Sequence, residues 1–283
     1  MGGPERGRAV KPAPFAYDDP GSLAEALDLL ARHGDEAKVL AGGQSLVPLM
    51  NFRLARPERL VDVNRIDELA FLREEDGALR IGALTRTVEL ERSPLVAGQW
   101  PLLAEAARLV GHTAIRTRGT VGGSVAHADP AAELPAALTA LGAVFRARSA
   151  RGPRDVDAQD FFFTHLTTVL EPDELLVEIV VPPLAPGSGT AIVEHTRVHG
   201  DFALGGAAVV LGESPSVVLL AAGPTPVRAV AVEEALVAGA GAGEAAELAD
   251  EAVDVVAEAD FRRALAVELT RRALTVAAER AAA

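Results

Sequence analysis

The chain contains no cysteine, so it can close no disulfide and ligate no iron–sulfur cluster; any such cluster must be carried by another chain. Lysine is nearly absent: only Lys11 and Lys38 occur. Neither stands in the Gly-Lys-Ser or Gly-Lys-Thr context of a P-loop, which excludes a Walker-type nucleotide site. The G-x-G-x-x-G dinucleotide fingerprint is missing too; Gly239-Ala240-Gly241-Ala242-Gly243-Glu244 ends in Glu where the last Gly belongs and follows a helical stretch, so it reads as a linker. There is no H-E-x-x-H pair and no G-x-S-x-G elbow, and His195 and His199 fall in a strand-like stretch, which excludes a helical zinc pair there. The formal net charge of −13 comes with no basic stripe, against a nucleic-acid surface. No run approaches the ~20 apolar residues of a membrane span, and Met1 to Lys11 lacks an apolar segment, so a cytoplasmic location is expected, with residues 1–10 disordered.

What the chain has is length and apolar content: 283 residues, 49% of them hydrophobic, enough for two or three compact units. Leu23, Ala26, Leu27 and Leu30 recur at helical spacing behind Ser22, a natural N-cap. Residues 37–41 and 59–63 read as strands around a helical segment from Leu46 to Leu54. From 64 to 180, strand-like runs (79–82, 143–148, 178–181) mix with helix-like ones (88–93, 101–110, 131–141), which fits an α+β unit. Pro182-Pro183-Leu184-Ala185-Pro186-Gly187-Ser188-Gly189 is the clearest breaker cluster. Beyond it come strand-like runs at 190–198, 203–211 and 216–221, then helical stretches at 232–238, 244–258 and 260–280, the last with Phe261, Leu265 and Leu269 as its expected buried stripe.

Two glycine-rich loops stand out. Ala41-Gly42-Gly43-Gln44-Ser45-Leu46 follows a strand and opens a helix, where unpaired N–H groups favour an anion and Ser45 is placed to cap the helix or donate to a phosphate. Gly119-Thr120-Val121-Gly122-Gly123-Ser124 leads to Asp129-Pro130, a helix-entry signal. Glycine lets a backbone turn through positive φ and approach a ligand closely, and consecutive N–H groups in such a turn suit phosphate oxygens.

These loops, together with Arg53-Leu54-Ala55-Arg56-Pro57, Val125-Ala126-His127-Ala128-Asp129-Pro130-Ala131-Ala132-Glu133-Leu134-Pro135, Asp160-Phe161-Phe162, Asp173-Glu174-Leu175-Leu176, Arg197-Val198-His199-Gly200-Asp201-Phe202-Ala203 and Gly223-Pro224-Thr225-Pro226-Val227-Arg228, resemble the FAD-binding medium subunit of the xanthine dehydrogenase and carbon monoxide dehydrogenase family of molybdenum hydroxylases. The resemblance runs over residues 11–280. It implies an α+β fold: a two-part FAD-binding region of the PCMH, vanillyl-alcohol-oxidase-like kind, followed by a C-terminal sheet-plus-helices domain of the carbon monoxide dehydrogenase flavoprotein type. The corresponding boundaries are 11–58 and 59–181 for the two FAD-binding parts and 190–283 for the C-terminal domain.

For the site, the resemblance implies that Lys38, Val39, Leu40, Ala41, Gly42, Gly43, Gln44, Ser45 and Leu46 meet the FAD pyrophosphate, and that Gly119, Thr120, Val121, Gly122, Gly123 and Ser124 run beside it toward the flavin, with Val110, Gly111 and Ile115 lining the cofactor. His127 is close enough in sequence to reach it; Asp129 is equally an N-cap; Glu133 matches an acidic position toward the adenosine end; Leu175 matches an apolar position beside the cofactor and is equally plain core. Arg197 and Asp201 are expected to pair at a domain junction, and Val193 stands where xanthine dehydrogenases carry a flavin-proximal Lys. The implied role is electron transfer from a [2Fe–2S] small subunit, fed by a molybdopterin large subunit, through FAD to NAD, a quinone or oxygen. A stand-alone FAD-dependent oxidoreductase on the same scaffold, and a flavin-free assembly subunit, are the alternatives.

Overall fold

The computed structural model describes residues 12–255 and 257–282; the expected disorder of residues 1–10 lies outside them. The first unit is a three-stranded parallel sheet in the order Ala16–Asp18, Arg59–Asp62, Ala37–Leu40. Helix Leu23–His33 buries Leu23, Ala26, Leu27 and Leu30 on it, and the Ser22 hydroxyl accepts from the Glu25 N–H at 3.3 Å, so both the stripe and its cap are as the spacing predicts. Gly34 ends that helix at φ 48°, which places the turn into Ala37–Leu40.

Next comes a five-stranded antiparallel sheet in the order Leu72–Glu75, Ala78–Gly82, Leu175–Val181, Val144–Ser149, Gly152–Asp157. Its middle strand is the last to be made, and it is apolar nearly throughout because both faces are covered. Helices Pro101–Leu109 and Glu133–Ala140 pack on this sheet through Leu102, Leu103, Leu134 and Leu138 against Leu79, Ile81, Phe145 and Ile179. Trp100 is fully buried there, and its indole N–H donates to the Pro182 carbonyl at 2.8 Å, satisfying the one polar atom the ring brings in.

After the 182–188 connection a four-stranded antiparallel sheet runs in chain order, Gly189–His195, Gly205–Leu211, Ser216–Leu220, Val227–Arg228. Strand alternation divides its two faces. Ala208, Val218 and Leu220 join the core around helix Glu133–Ala140, whereas Ala207, Val217 and Leu219 face helix Ala259–Ala281. The last two units are therefore fused through one hydrophobic core. The α+β class expected from the sequence is the class observed.

Two local expectations fail. The helix expected over 244–258 is a short helix Ala242–Ala246 followed by a 3₁₀ segment Glu247–Ala252. In the last helix Phe261 is exposed, and the buried face is Ala266, Leu269, Thr270, Ala273, Leu274 and Ala277. Near the end of this helix a Cβ on Gly189 would lie 1.8 Å from the Ala277 carbonyl oxygen, so there the helix backbone rides directly on the sheet.

Candidate functional site

The two glycine loops meet. A Cβ built on Gly42 would lie 2.4 Å from the carbonyl oxygen of Arg118 and 2.8 Å from the Cα of Gly119, and one on Gly123 would come within 4.0 Å of the Ala41 Cβ. Gly43 takes φ 71°, the left-handed region glycine adopts freely, and turns the chain from the strand into helix Leu46–Asn51. Among the described residues the N–H groups of Gly42, Gly43, Gln44, Ser45 and Leu46 find no acceptor within the protein. Five consecutive donors left open in one turn form a cradle suited to an anion. Ser45 does not cap the helix. Gln44 folds back to donate to the Gly42 carbonyl at 3.0 Å, while Lys38 lies exposed on its strand.

The second loop behaves otherwise. Gly122 and Gly123 are inside a helix, Val121–His127, that begins well before the Asp129-Pro130 signal and is capped by the Thr120 hydroxyl accepting from the Gly123 N–H at 3.1 Å. The Val121 and Gly122 N–H groups donate to the Thr85 and Ala83 carbonyls at 2.9 and 3.0 Å, the Gly119 N–H to Ile115 at 2.7 Å and the Ser124 N–H to Thr120 at 3.0 Å. These amides are therefore occupied, and the second loop serves as a wall for the first. Gly122 is glycine because a Cβ would lie 2.6 Å from that of Ala83. Asp129 does not cap the next helix; its carboxylate accepts from the Ala131 N–H at 2.9 Å in a tight turn, and helix Glu133–Ala140 begins after Ala132.

Val110 and Gly111 adjoin this wall. The buried Arg116 guanidinium donates to both of their carbonyls, at 3.1 and 3.0 Å, and pairs with Glu91 at 2.8 Å; Ile115 supplies the carbonyl that receives Gly119. His127 is the last residue of the seven-residue helix Val121–His127, roughly 9 Å along from its start, and Glu133 opens the next one. His127 is half-buried, and burial pushes its imidazole below the usual value. Glu133 is 8% exposed, with a hydrogen bond only to its own backbone, and burial, then the nearby carboxyls of Glu194 and Asp129, push it up to about 8. Glu194, from strand Gly189–His195, is pushed up to about 7 by burial, and one of its oxygens is buried without a partner. Leu175 is buried in the core cluster with Leu27 and Leu84. Among the described residues Arg197 and Asp201 form no ion pair; the Asp201 carboxylate accepts from the next N–H, that of Phe202, at 2.9 Å.

Sequence reading missed the residues that join the loops. Asn64 donates to the Ala41 carbonyl at 2.8 Å and to Asp62 at 2.6 Å, and accepts from Arg86 at 2.9 Å; Arg86 also donates to the Arg118 carbonyl at 2.6 Å. Tyr17 completes the set by donating to Asp62 at 2.7 Å. Burial works against ionisation of Asp62, but hydrogen bonds from Tyr17 and Asn64 outweigh it and hold that carboxyl below the usual carboxylate range. Apart from the Asp62–Asn64 turn, nothing local marks these residues, since Tyr17, Ala41, Arg86 and Arg118 lie far apart in sequence. Two surface concavities, a groove of ≈ 700 Å³ among Arg73, Arg80, Arg146 and Glu178 and one of ≈ 380 Å³ beside Leu236, Val237 and Leu274, contain no residue of either loop. Among the described residues no group of His, Asp and Glu could hold a metal ion, and no helix is long and apolar enough to cross a membrane.

Residues 13–184 match the family described as the FAD binding domain in molybdopterin dehydrogenase. The carbon monoxide dehydrogenase medium chain of Hydrogenophaga pseudoflava is 40% identical, over 96% of this chain and 99% of that one, and the caffeine dehydrogenase subunit beta of Pseudomonas sp. strain CBB1 is 40% identical over 96% and 97%. In the solved carbon monoxide dehydrogenase of Hydrogenophaga pseudoflava that lacks the Mo-pyranopterin moiety, one chain superposes with a TM-score of 0.91 at 41% identity, covering 95% of this chain and 99% of that one. Quinoline 2-oxidoreductase from Pseudomonas putida 86 gives a TM-score of 0.90 at 36% identity, over 96% and 99%.

Proposed function

Since the chain belongs to the family of FAD-binding domains in molybdopterin dehydrogenases, we propose that it takes electrons from a separate [2Fe–2S] subunit, supplied by a molybdopterin subunit, and passes them through its FAD to NAD, a quinone or oxygen. That it is an FAD-binding subunit of the molybdenum hydroxylase type follows from the family and from relatives that match over nearly their whole length. The identity of the partners and of the acceptor is the proposal.

One observation carries the assignment of the site: five consecutive open backbone donors, Gly42 to Leu46, backed by a second loop in which the amides of Gly119 and of Val121 to Ser124 are satisfied. A diphosphate fits this cradle by charge and by geometry. The chain's residues would then bind and orient the cofactor. Gly42 to Leu46 hold phosphate oxygens, the Gly119–Ser124 wall fixes the cofactor's path, and Glu133, kept protonated by its burial near neutral pH, can both donate to and accept from ribose hydroxyls. Bound FAD supplies the redox chemistry, accepting electrons singly and releasing them in pairs. Val193 brings no charge to the position where xanthine dehydrogenases carry Lys, so no ammonium from that strand position tunes the ring.

With no cysteine this chain ligates no iron–sulfur cluster of its own, which supports a separate subunit as the carrier. The test is flavin reduction. FAD in the isolated chain is expected to stay oxidised with candidate substrates and to bleach once an iron–sulfur subunit and a molybdenum subunit are added. Turnover by the isolated chain would favour the stand-alone oxidoreductase, and a chain that stays colourless on FAD titration would favour the assembly subunit.

A further inference from the structure

Among the described residues no hydrogen bond joins one glycine loop directly to the other, yet their backbones touch. Two side chains outside both loops span the junction. The Asn64 amide has two N–H bonds, and both are used, one on the Ala41 carbonyl at 2.8 Å and one on Asp62 at 2.6 Å. Its oxygen takes the Arg86 guanidinium at 2.9 Å. An inverted amide would set its oxygen against two acceptors, so the network itself fixes the orientation. Arg86 uses the other arm of its fork on the Arg118 carbonyl at 2.6 Å. The result is a continuous relay from the peptide just before Gly42 to the peptide just before Gly119. In a trans peptide the C=O and the following N–H point in opposite directions. Holding the Ala41 carbonyl inward on Asn64 therefore turns the Gly42 N–H, which has no acceptor in the protein, outward into the cradle.

We propose that Asn64 and Arg86 are positioning residues for the FAD diphosphate: they clamp the carbonyls of Ala41 and Arg118, lock the loop against its wall and aim the Gly42 amide. Neither side chain is assigned a contact with the cofactor. The relay pre-organises donors that would otherwise have to be ordered on binding. Asp62 anchors it, through two hydrogen bonds from Asn64 and one from Tyr17. Lysine cannot replace Arg86, because a single ammonium on a flexible stem lacks the planar fork that reaches both acceptors.

The proposal rests on the reading of the loops as the diphosphate site, and the test separates the two. Flavin-free full-length chain is titrated with FAD, and with ADP as a competitor that carries the diphosphate and adenosine but no flavin, for Asn64→Ala, Arg86→Lys and the pair together; the thermal midpoint of each flavin-free variant is read in parallel. Each single variant should weaken both ligands about tenfold, the scale of one lost charge-assisted hydrogen bond. The double variant should be little weaker than either single one, because cutting one relay at two places cuts it once. The flavin-free midpoints should fall only slightly. Unchanged affinity, or losses that add and track the midpoints, would overturn the clamp. Gly42→Ala is the control on the loop reading. If it loses ligand while the clamp variants keep theirs, the clamp alone is wrong; if it also binds as the parent does, the diphosphate site is wrong. Asn64→Ala, which alters no charge, decides the matter if Arg86→Lys folds poorly.

Discussion

Gly42 lies beneath the carbonyl of Arg118, so closely that a methyl group on Gly42 would stand 2.4 Å from that oxygen. Contact at this distance involves two backbones and cannot be relieved by a rotamer change. Gly42→Ala must push the first loop off the second, and is expected to cost about 1–3 kcal/mol of stability by overpacking while removing flavin, since the cradle loses its wall. Absorbance at 450 nm against 280 nm, with calorimetry on the flavin-free protein, checks both parts.

Gly43 should respond differently. Its φ of 71° is strained for alanine, whose Cβ would also stand 3.2 Å from Val47 and 3.3 Å from Leu40, both flexible apolar side chains. The strain alone is worth about 1–2 kcal/mol. Gly43→Ala should fold, and lose flavin affinity more than stability. Equal binding by Gly43→Ala and the parent in an FAD titration would count against the open amides as the anion cradle.

Gly122 looks in sequence like a second phosphate glycine, for which Gly122→Val should spare the fold. The structure reverses that expectation. The Cβ of valine would fall 2.6 Å from the Ala83 Cβ and 2.7 Å from the Ala83 carbonyl, inside the buried packing of helix Val121–His127 on residues 83–85. Gly122→Val should therefore destabilise the flavin-free chain by about 3 kcal/mol or more. A flavin-free melting temperature equal to the parent's would refute this.

How much was legible follows from how local each signal is. Ser22 and the Leu23–Leu30 stripe are read correctly because a cap and a 3.6-residue period are settled within one element. The first loop is legible because strand, glycine pair and helix are contiguous. The second loop misleads: Gly122 and Gly123 look like a ligand turn, whereas the constraint on them comes from Ala83 and Thr120. Asp129-Pro130 is a sound helix signal overridden by an Asx turn. Phe261 heads a four-residue apolar repeat of which the structure buries Leu269 and leaves Phe261 exposed, the buried face running instead through Ala266, Thr270, Ala273, Leu274 and Ala277. Asn64 and Arg86 carry no mark at all, since their geometry exists only after three elements converge.

Glu178 provides a stability test remote in sequence from the loops. Its carboxylate, nearly buried, accepts from Arg80 at 2.6 and 2.9 Å and from Arg146 at 2.9 Å, joining neighbouring strands of the five-stranded sheet. Glu178→Ala removes the one acceptor shared by two guanidinium groups, and breaking such a pair from one side costs about 3–5 kcal/mol when fully buried. Both arginines are partly exposed and keep a second carboxylate, Glu75 or Asp155, so a loss of about 2 kcal/mol is expected. Chemical denaturation of the flavin-free chain measures it.

Glu133 gives the molecule a pH dependence of opposite sign to that of its paired carboxylates. Its folded pKa is raised to about 8 from the ordinary glutamate value of 4.5, so the folded chain holds a proton that the unfolded chain releases in between. Its contribution to stability is therefore fully present below about 4.5 and is lost progressively as pH rises through about 8. Glu194, raised to about 7 beside it, acts in the same direction, and the two repel once ionised. Asp62, Asp155 and Glu174, held low by their partners, act oppositely and lose their contribution as pH falls. A difference curve isolates Glu133. Glu133→Gln, neutral at every pH, should match the parent near pH 4.5 and become increasingly more stable than it toward pH 8 and above. Because the variant keeps the size of the side chain and one acceptor, its flavin-free form can be compared directly across the range. A difference that is flat with pH, or that grows toward acid, would mean that Glu133 is ionised in the folded chain.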